Sequence, residues 1–268
     1  MKSVDMNCDM GEGFGAYEIG CDDDMLEIVS SMNLACGFHA GDFLIMSRLS
    51  KKAGQMGVAI GAHPGYPDLW GYGRRKMVFT NEELEAIFAY QIGAAVAMAK
   101  LHGFKMTYIK AHGAIAHLAA EDLSVGEVYA NVIQKIDPSL TVLAMVNTPV
   151  IEILKSKGIR VAYEIFADRG YLDNGRLVPR GQPGAMIHDS DEAAARIVEM
   201  VSNQCIISHT GKRSQLKLIQ FVFMVTPRML HPSQERCDKR WKKLAGQSAH
   251  LVENFGARVL GIAYADGQ

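Results

Sequence analysis

"SMNLACGFHAGD", residues 31–42, holds the pattern that decides the fold. An apolar run ends at Cys36, and His39 and Asp42 follow it in a bed of Ala and Gly. The same change recurs along the chain. "SVDMNCDMGEG" (3–13), "GVAIGAHPGYPD" (57–68) and "MTYIKAHGA" (106–114) each pass from a short apolar segment into Gly, His or acidic residues, and "TVLAMVN" (141–147) and "RVAYEIFADRG" (160–170) continue the series. Short runs of this kind, apolar throughout, read as strands buried on both faces. Helical patterns lie between them. In "TNEELEAIFAYQIGAAVAMAKLHG" (80–103), Thr80 is a good N-cap, Glu83 completes a capping box and Gly103 can end the helix. "DSDEAAARIVEMVSN" (189–203) is similar, and "MSRLSKKAGQMG" (46–57) reads as a helix closed by Gly57.

Strand alternating with helix implies a parallel sheet with right-handed crossovers. Six or seven units over 268 residues, with no Ser/Pro-rich linker, fit one β/α barrel, TIM-like and of about seven strands, better than two domains. A doubly wound sheet is the competing fold. Its mark would be a glycine-rich first turn, but "GEGFGAYEIG" (11–20) is followed by Asp22, Asp23 and Asp24, and clustered acids repel phosphate.

A formal net charge of −1 and no basic face argue against a nucleic-acid or membrane-surface partner. No apolar run approaches the roughly 20 residues of a membrane span. The N-terminus has no apolar signal segment, and five scattered cysteines without a CxxC pair suit a reducing cytoplasm. Cys8 and Cys36 read as small buried residues rather than nucleophiles.

In β/α barrels the site is built at the carboxyl ends of the strands and in the loops after them. Asp5, Asn7, Asp9 and Glu12 close the first unit, His39 and Asp42 the second, and His63 and Asp68 the third. Lys110 and His112 close the fourth, and Glu164, Asp168 and Arg169 the sixth. One histidine after a strand is usually a hydrogen-bonded structural residue. Three at equivalent places in successive units are harder to dismiss. Asp5, Asn7 and Asp9 share one strand face, and if that face points inward the charges need partners, with Lys110 and Arg169 as candidates. Arg74 and Arg75 could clamp a carboxylate or phosphate, or form a solvated basic turn. The flanking Gly and Ala should leave the rim open to a small ligand. His and Asp from several strands suit a metal, but no HxxxH, HxH or CxxC spacing assigns one. "HTGKRS" (209–214) lacks the Walker A spacing, and no GxSxG elbow is present.

At these residues the chain resembles the LamB/YcsF family. "DMNCDMGEGFG" (5–15), "NLACGFHAGD" (33–42), "GAHPGYPDLWGYGRR" (61–75), "KAHGA" (110–114) and "EIFADRGYLDNGRLVPR" (164–180) carry the likeness, which runs from about residue 3 to about residue 213. The resemblance implies a β/α barrel related to glycoside hydrolases and polysaccharide deacetylases. It implies the first of three components of ATP-dependent 5-oxoprolinase, which opens the lactam of 5-oxoproline to glutamate using ATP, with Mg2+, alongside subunits B and C. The positions it marks as catalytic are Asp9, Glu12, His39, Asp42, His63, Lys110, His112, Glu164 and Asp168, with Asn7, Arg74, Arg75 and Arg169 binding substrate. Barrel kinship keeps a metal-dependent amide or acetyl hydrolase as one alternative, and a non-catalytic substrate-presenting component is another.

Two departures stand out. The family usually reads KPHGALYN where this chain has "KAHGAIAHL" (110–118). After Arg213 the family expects a last strand ending CVHGD, and this chain has "SQLKLIQFVFMVTPRML" (214–230) instead. Back-translated and read from the third base of the Ser214 codon, permitted codons spell P-V-E-A-D-S-V-C-V-H-G-D-T-P-H-A. The Gly in that text is forced, because Met224 precedes Val225. The expectation is therefore a barrel domain over residues 1–213 and, from loss of one base, an out-of-frame tail over residues 214–268. The tail's opening apolar run, "LIQFVFMV" (218–225), could still take the last strand position by composition alone.

Overall fold

The structure is a computed structural model and describes residues 3–216, 220–224 and 258–259. The strands are β1 (Ser3–Met10), β2 (Ser31–Ala35), β3 (Ala59–His63), β4 (Met106–Ile109), β5 (Thr141–Met145), β6 (Arg160–Phe166), β7 (Cys205–Ile207), β8 (Arg213–Gln215), β9 (Gln220–Met224) and β10 (Arg258–Val259). The helices are α1 (Asp22–Leu26), α2 (Phe43–Met56), α3 (Asn81–Leu101), α4 (Gly113–Glu121), α5 (Leu123–Ile136), α6 (Val150–Ser156) and α7 (Ser190–Asn203). β1 to β6 form a curled parallel sheet in chain order. β9 pairs in parallel with both β6 and β1, joining a ring of seven strands. β10 adds a short parallel pairing at the start of β1, and β7 with β8 forms a separate antiparallel pair.

The caps follow the expected chemistry. Thr80 and Glu83 make the capping box of α3. Gly57 closes α2 at φ 72°, the left-handed geometry that favours glycine. α3 is 21 residues long and apolar enough, by length and composition, to cross a membrane, contrary to the expectation that no such stretch exists. It instead packs on α2, α5, β3 and β4, burying Leu84, Phe88, Ile92 and Ala95.

The strand period of two separates two interiors. Met6, Cys8 and Met10 of β1 and Met32 and Leu34 of β2 join the large core between sheet and helices. Methionine's flexible, unbranched side chain suits this filling. Asp5, Asn7 and Asp9 project to the other face, inside the ring, beside Ser31 and Asn33. Apolar filling inside the ring includes a small plug of Tyr108, Leu143 and Ala162 with Ala59 packed on it, and Phe166 beside Lys110. The buried polar groups above and below the plug must therefore satisfy one another. Ser30 and Ser31 both donate to Asp5, at 2.7 and 2.6 Å. The Tyr108 hydroxyl donates to Asn33 Oδ1 at 2.9 Å, and Asn33 Nδ2 donates to Asn7 at 2.6 Å and Asp9 at 2.9 Å.

Gly61 makes room for the plug, since a Cβ there would lie 2.2 Å from the Tyr108 ring. Gly61→Ala is expected to destabilise the fold by about 1–3 kcal/mol through overpacking. Urea denaturation followed by circular dichroism measures this, and a loss below about 0.5 kcal/mol would mean that the ring interior is not tightly filled.

Candidate active site

Lys110, immediately after β4, is the hub. Its Nζ lies 3.0 Å from Asp9 Oδ1 and 2.9 Å from Glu164 Oε1, so one buried ammonium ties β1, β4 and β6 together. Burial alone would lower the Lys110 pKa, but the two carboxylates outweigh it and raise it above its ordinary value. The same pair splits the carboxylates. Burial works to raise Asp9, yet His63 and Lys110 hold it well below the usual carboxylate range. Glu164 is raised, because there burial prevails over Lys110. Of the partners expected for the inward acids, Lys110 takes the role and Arg169 does not. The Arg169 guanidinium is spent on the carbonyls of Ala185 and Val178, at 3.1 and 2.7 Å.

The three expected histidines meet. His39 and His112 stack with centroids 3.7 Å apart and planes 4° from parallel, and His63 stands edge-on to both. His63 Nε2 lies 3.0 Å from His112 Nδ1 and 3.3 Å from Asp9 Oδ1. Glu12 Oε1 lies 3.6 Å from His39 Nε2 and 4.0 Å from His112 Nδ1. Burial, reinforced by neighbouring imidazoles, lowers His39 well below its ordinary value and pushes His112 down to about 2. Both rings are therefore neutral near pH 7.

The glycines serve the rings rather than a ligand. A Cβ at Gly65 would sit 2.4 Å from His39 Nδ1, and one at Gly73 would sit 2.8 Å from His39 and 2.9 Å from His112. Buried Gln91 of α3 fixes the loop after β3, accepting from Gly65 N–H and donating to Gly65 O, both at 2.9 Å. In that loop Tyr72, at φ 55°, donates its phenol proton to Glu12 Oε2.

Other expected residues have different duties. Asp42 is the N-cap of α2, taking N–H bonds from Leu44 and Ile45 on Oδ1 and from Gly15 on Oδ2. Arg75 is largely exposed and pairs with buried Asp68. Asp168 is buried, and its main chain accepts from Ile187 N–H. Arg74 stacks over the Tyr72 ring, 5.0 Å from its centroid. Cys8 and Cys36 are buried as expected, and burial pushes the Cys36 thiol up to about 12. Sequence reasoning missed Asn33 and Tyr72. Asn33 had a signal, since it alternates with Ser31 as Asp5, Asn7 and Asp9 do. Tyr72 had none, because its role arises from loop conformation.

The cluster floors a cavity of about 840 Å3. Asp9, His63, Lys110, His112 and Glu164 line it below, and Arg74, Lys76, Arg169 and Arg180 also face it. Four cations face the cavity together with Glu121 and Asp122, and its floor holds two carboxylates and Lys110, a set suited to a polar guest whose reacting atom must exchange a proton.

Residues 4–222 match a family described as the LamB/YcsF family. The chain belongs to that family. It is 49% identical over 211 residues to the A component of 5-oxoprolinase from Azorhizobium caulinodans, covering 79% of this chain and 83% of the relative. It is 48% identical, with the same coverage, to the corresponding 5-oxoprolinase component of Gluconobacter oxydans. The crystal structure of the lactam utilization protein from Thermus thermophilus matches with a TM-score of 0.85 at 34% identity, covering 97% of this chain and 99% of that one.

Removing the hub should expose its worth. Lys110→Met strands two buried carboxylates and is expected to cost about 3–5 kcal/mol in urea unfolding. Adding Glu164→Gln to it should recover part of the loss, and no recovery would show that the two residues are not coupled. Asp9 gives the acid limb. Its folded pKa lies below its unfolded one, so its contribution is complete above the unfolded value and is lost as pH falls through the folded value. Asp9→Asn should therefore lower stability at pH 7 and flatten the dependence of stability on pH below about 4. An unchanged acid limb would remove Asp9 from the network.

Proposed function

We propose that this chain is the A component of an ATP-dependent 5-oxoprolinase. It would open the lactam of 5-oxo-L-proline to L-glutamate as ATP is hydrolysed to ADP and phosphate, with subunits B and C and in the cytoplasm. The observation that carries the reading is the Asp9–Lys110–Glu164 triad at the base of the cavity. The names of the relatives support it.

The chemistry asks for such a site. A five-membered lactam is a poor electrophile, because amide resonance stabilises its carbonyl. Transfer of the ATP γ-phosphoryl to the carbonyl oxygen, with ADP leaving, would activate the ring carbon toward water; the adduct breaks its C–N bond as the nitrogen takes a proton, and a second water releases phosphate from the resulting acyl phosphate. Water then needs a base, and the developing charge needs cations. Paired titratable groups pushed in opposite directions suggest the assignment. Glu164, raised toward neutrality, accepts the proton from water. Asp9 stays ionised and orients Lys110 and His63. Lys110 faces the negative charge that develops on the oxygens around the ring carbon, and Arg74 and Arg180 hold the substrate carboxylate or the phosphoryl group.

The same proposal covers the chain's ending. The alternative reading frame of residues 214–268 places its C-V-H at β9, the strand that joins β6 to β1. His and the following Gly-Asp would then reach the same rim as His39, His63 and His112. The present tail contributes residues 214–216, β9 and β10 among the described residues and otherwise lies outside them.

ATP-dependent glutamate release, assayed with subunits B and C added and omitted, tests the activity. Turnover is expected only in the full assembly, and Glu164→Gln should reduce it by about 10²–10⁴-fold with circular dichroism unchanged. Wild-type turnover in that variant would favour a chain that merely presents substrate. For the ending, the gene sequenced from independent isolates should show one base restored near the Ser214 codon. A confirmed frame without the displaced text would show a genuinely diverged tail.

A further inference from the structure

Two histidine tautomers are fixed by the main chain. His63 Nδ1 lies 2.7 Å from Lys110 O, and a carbonyl can only accept, so Nδ1 carries the proton and Nε2 presents a lone pair. His112 Nε2 lies 2.9 Å from Tyr72 O, so His112 Nδ1 presents a lone pair by the same logic. These two lone-pair nitrogens face each other at 3.0 Å. Two acceptors cannot bond one another. A positive centre must lie between them, either a proton or a metal ion.

The surroundings favour the ion. A proton would satisfy one pair and leave the remainder of the cluster unanswered. Neither ring nitrogen of buried His39 has a hydrogen-bond partner among the described residues, and neither does Glu12 Oε1. The donor atoms of Glu12, His39, His63 and His112 all lie within 4.8 Å of one another. Bonds of about 2.0–2.2 Å from a common centre put tetrahedral donors about 3.4 Å apart, so the outlying donors must move inward by about an ångström. The second layer has the form that metal-binding imidazoles require, with the far ring N–H of His63 and of His112 donated to a backbone carbonyl. The Tyr72 phenol fixes the far oxygen of Glu12 in the same way. Gly65 and Gly73 leave room for the His39 ring.

We propose that Glu12, His39, His63 and His112 form a binding site for one divalent transition-metal ion, with the His39 ring turning out of its parallel stack on His112 so that the in-plane lone pairs of both rings reach the ion. Three imidazoles and one carboxylate are the donor set of zinc and its borderline neighbours, and a poor set for Mg2+, which prefers oxygen. The ligands come from the end of β3 and from the loops after β1, β2 and β4, which is why no local spacing marks the site. It adjoins the Asp9–Lys110–Glu164 triad without using it, and the metal assignment stands whether or not the substrate is a lactam.

The test uses the full chain, stripped with a chelator and dialysed, then titrated with Zn2+ by calorimetry and with Co2+ by visible absorption. One ion per chain is expected, with visible d–d bands for Co2+ and displacement of Co2+ by Zn2+. His39→Ala and His112→Ala should each weaken binding by more than about 100-fold, beyond what loss of an outer partner costs. Tyr72→Phe keeps every ligand and should weaken it about 10–100-fold. Because alanine variants can misfold, Glu12→Gln, nearly isosteric, is measured beside them and should also lose affinity with unchanged circular dichroism. Wild-type chain that takes up no stoichiometric ion overturns the proposal, as does unaltered binding in Glu12→Gln and His39→Ala together. Metal binding without lactam turnover would leave this site standing and remove the 5-oxoprolinase reading, and the opposite result would do the reverse.

Discussion

One buried ammonium group organises this molecule. Lys110 can be charged inside the ring only because Asp9 and Glu164 flank it, and they can be buried only because it lies between them. The three residues belong to the first, fourth and sixth segments of the ring. Their mutual need sets how far the sheet must curl, since the carboxylates come within reach of one Nζ only when the strands bend round to face each other. A ring interior lined with Asp, Asn, Ser and Lys would be ruinous in an open sheet. Closed around one cation, it is a connected network that runs from Tyr108 through Asn33 to Asp9.

The apolar burial that stabilises the fold lies elsewhere. The main core sits between strands and helices, and the inside of the ring holds a much smaller apolar plug. This separation lets the polar inner face be arranged for chemistry while helix packing carries most of the stabilisation. Preorganisation follows from it. His63 and His112, held by backbone carbonyls, need little ordering when a ligand arrives.

Much of this was legible in the sequence, and the limits were physical. Alternation of Asp5, Asn7 and Asp9 announced an inward polar face, and short apolar runs ending in histidine announced a common rim. Those signals are local and periodic. Asp42 carried two signals at once, as a rim residue and as the residue before an apolar helix, and the cap accounts for both of its oxygens. Arg169 looked like a partner for the inward acids, but the loop it opens folds back and offers its own carbonyls. Tyr72 was invisible, because it lies 60 residues from Glu12 and meets it only through an unusual backbone angle. Likewise the four clustered donors come from four separate segments, which no spacing rule encodes.

His63 and His112 both rest their protons on peptide oxygens rather than on neighbouring side chains. Which nitrogen is bare is thus dictated by the course of the polypeptide itself. Substitutions around the cavity can reshape what enters it, generation after generation, without reversing the polarity of either ring. Only a shift of the backbone at positions 72 or 110 would do that.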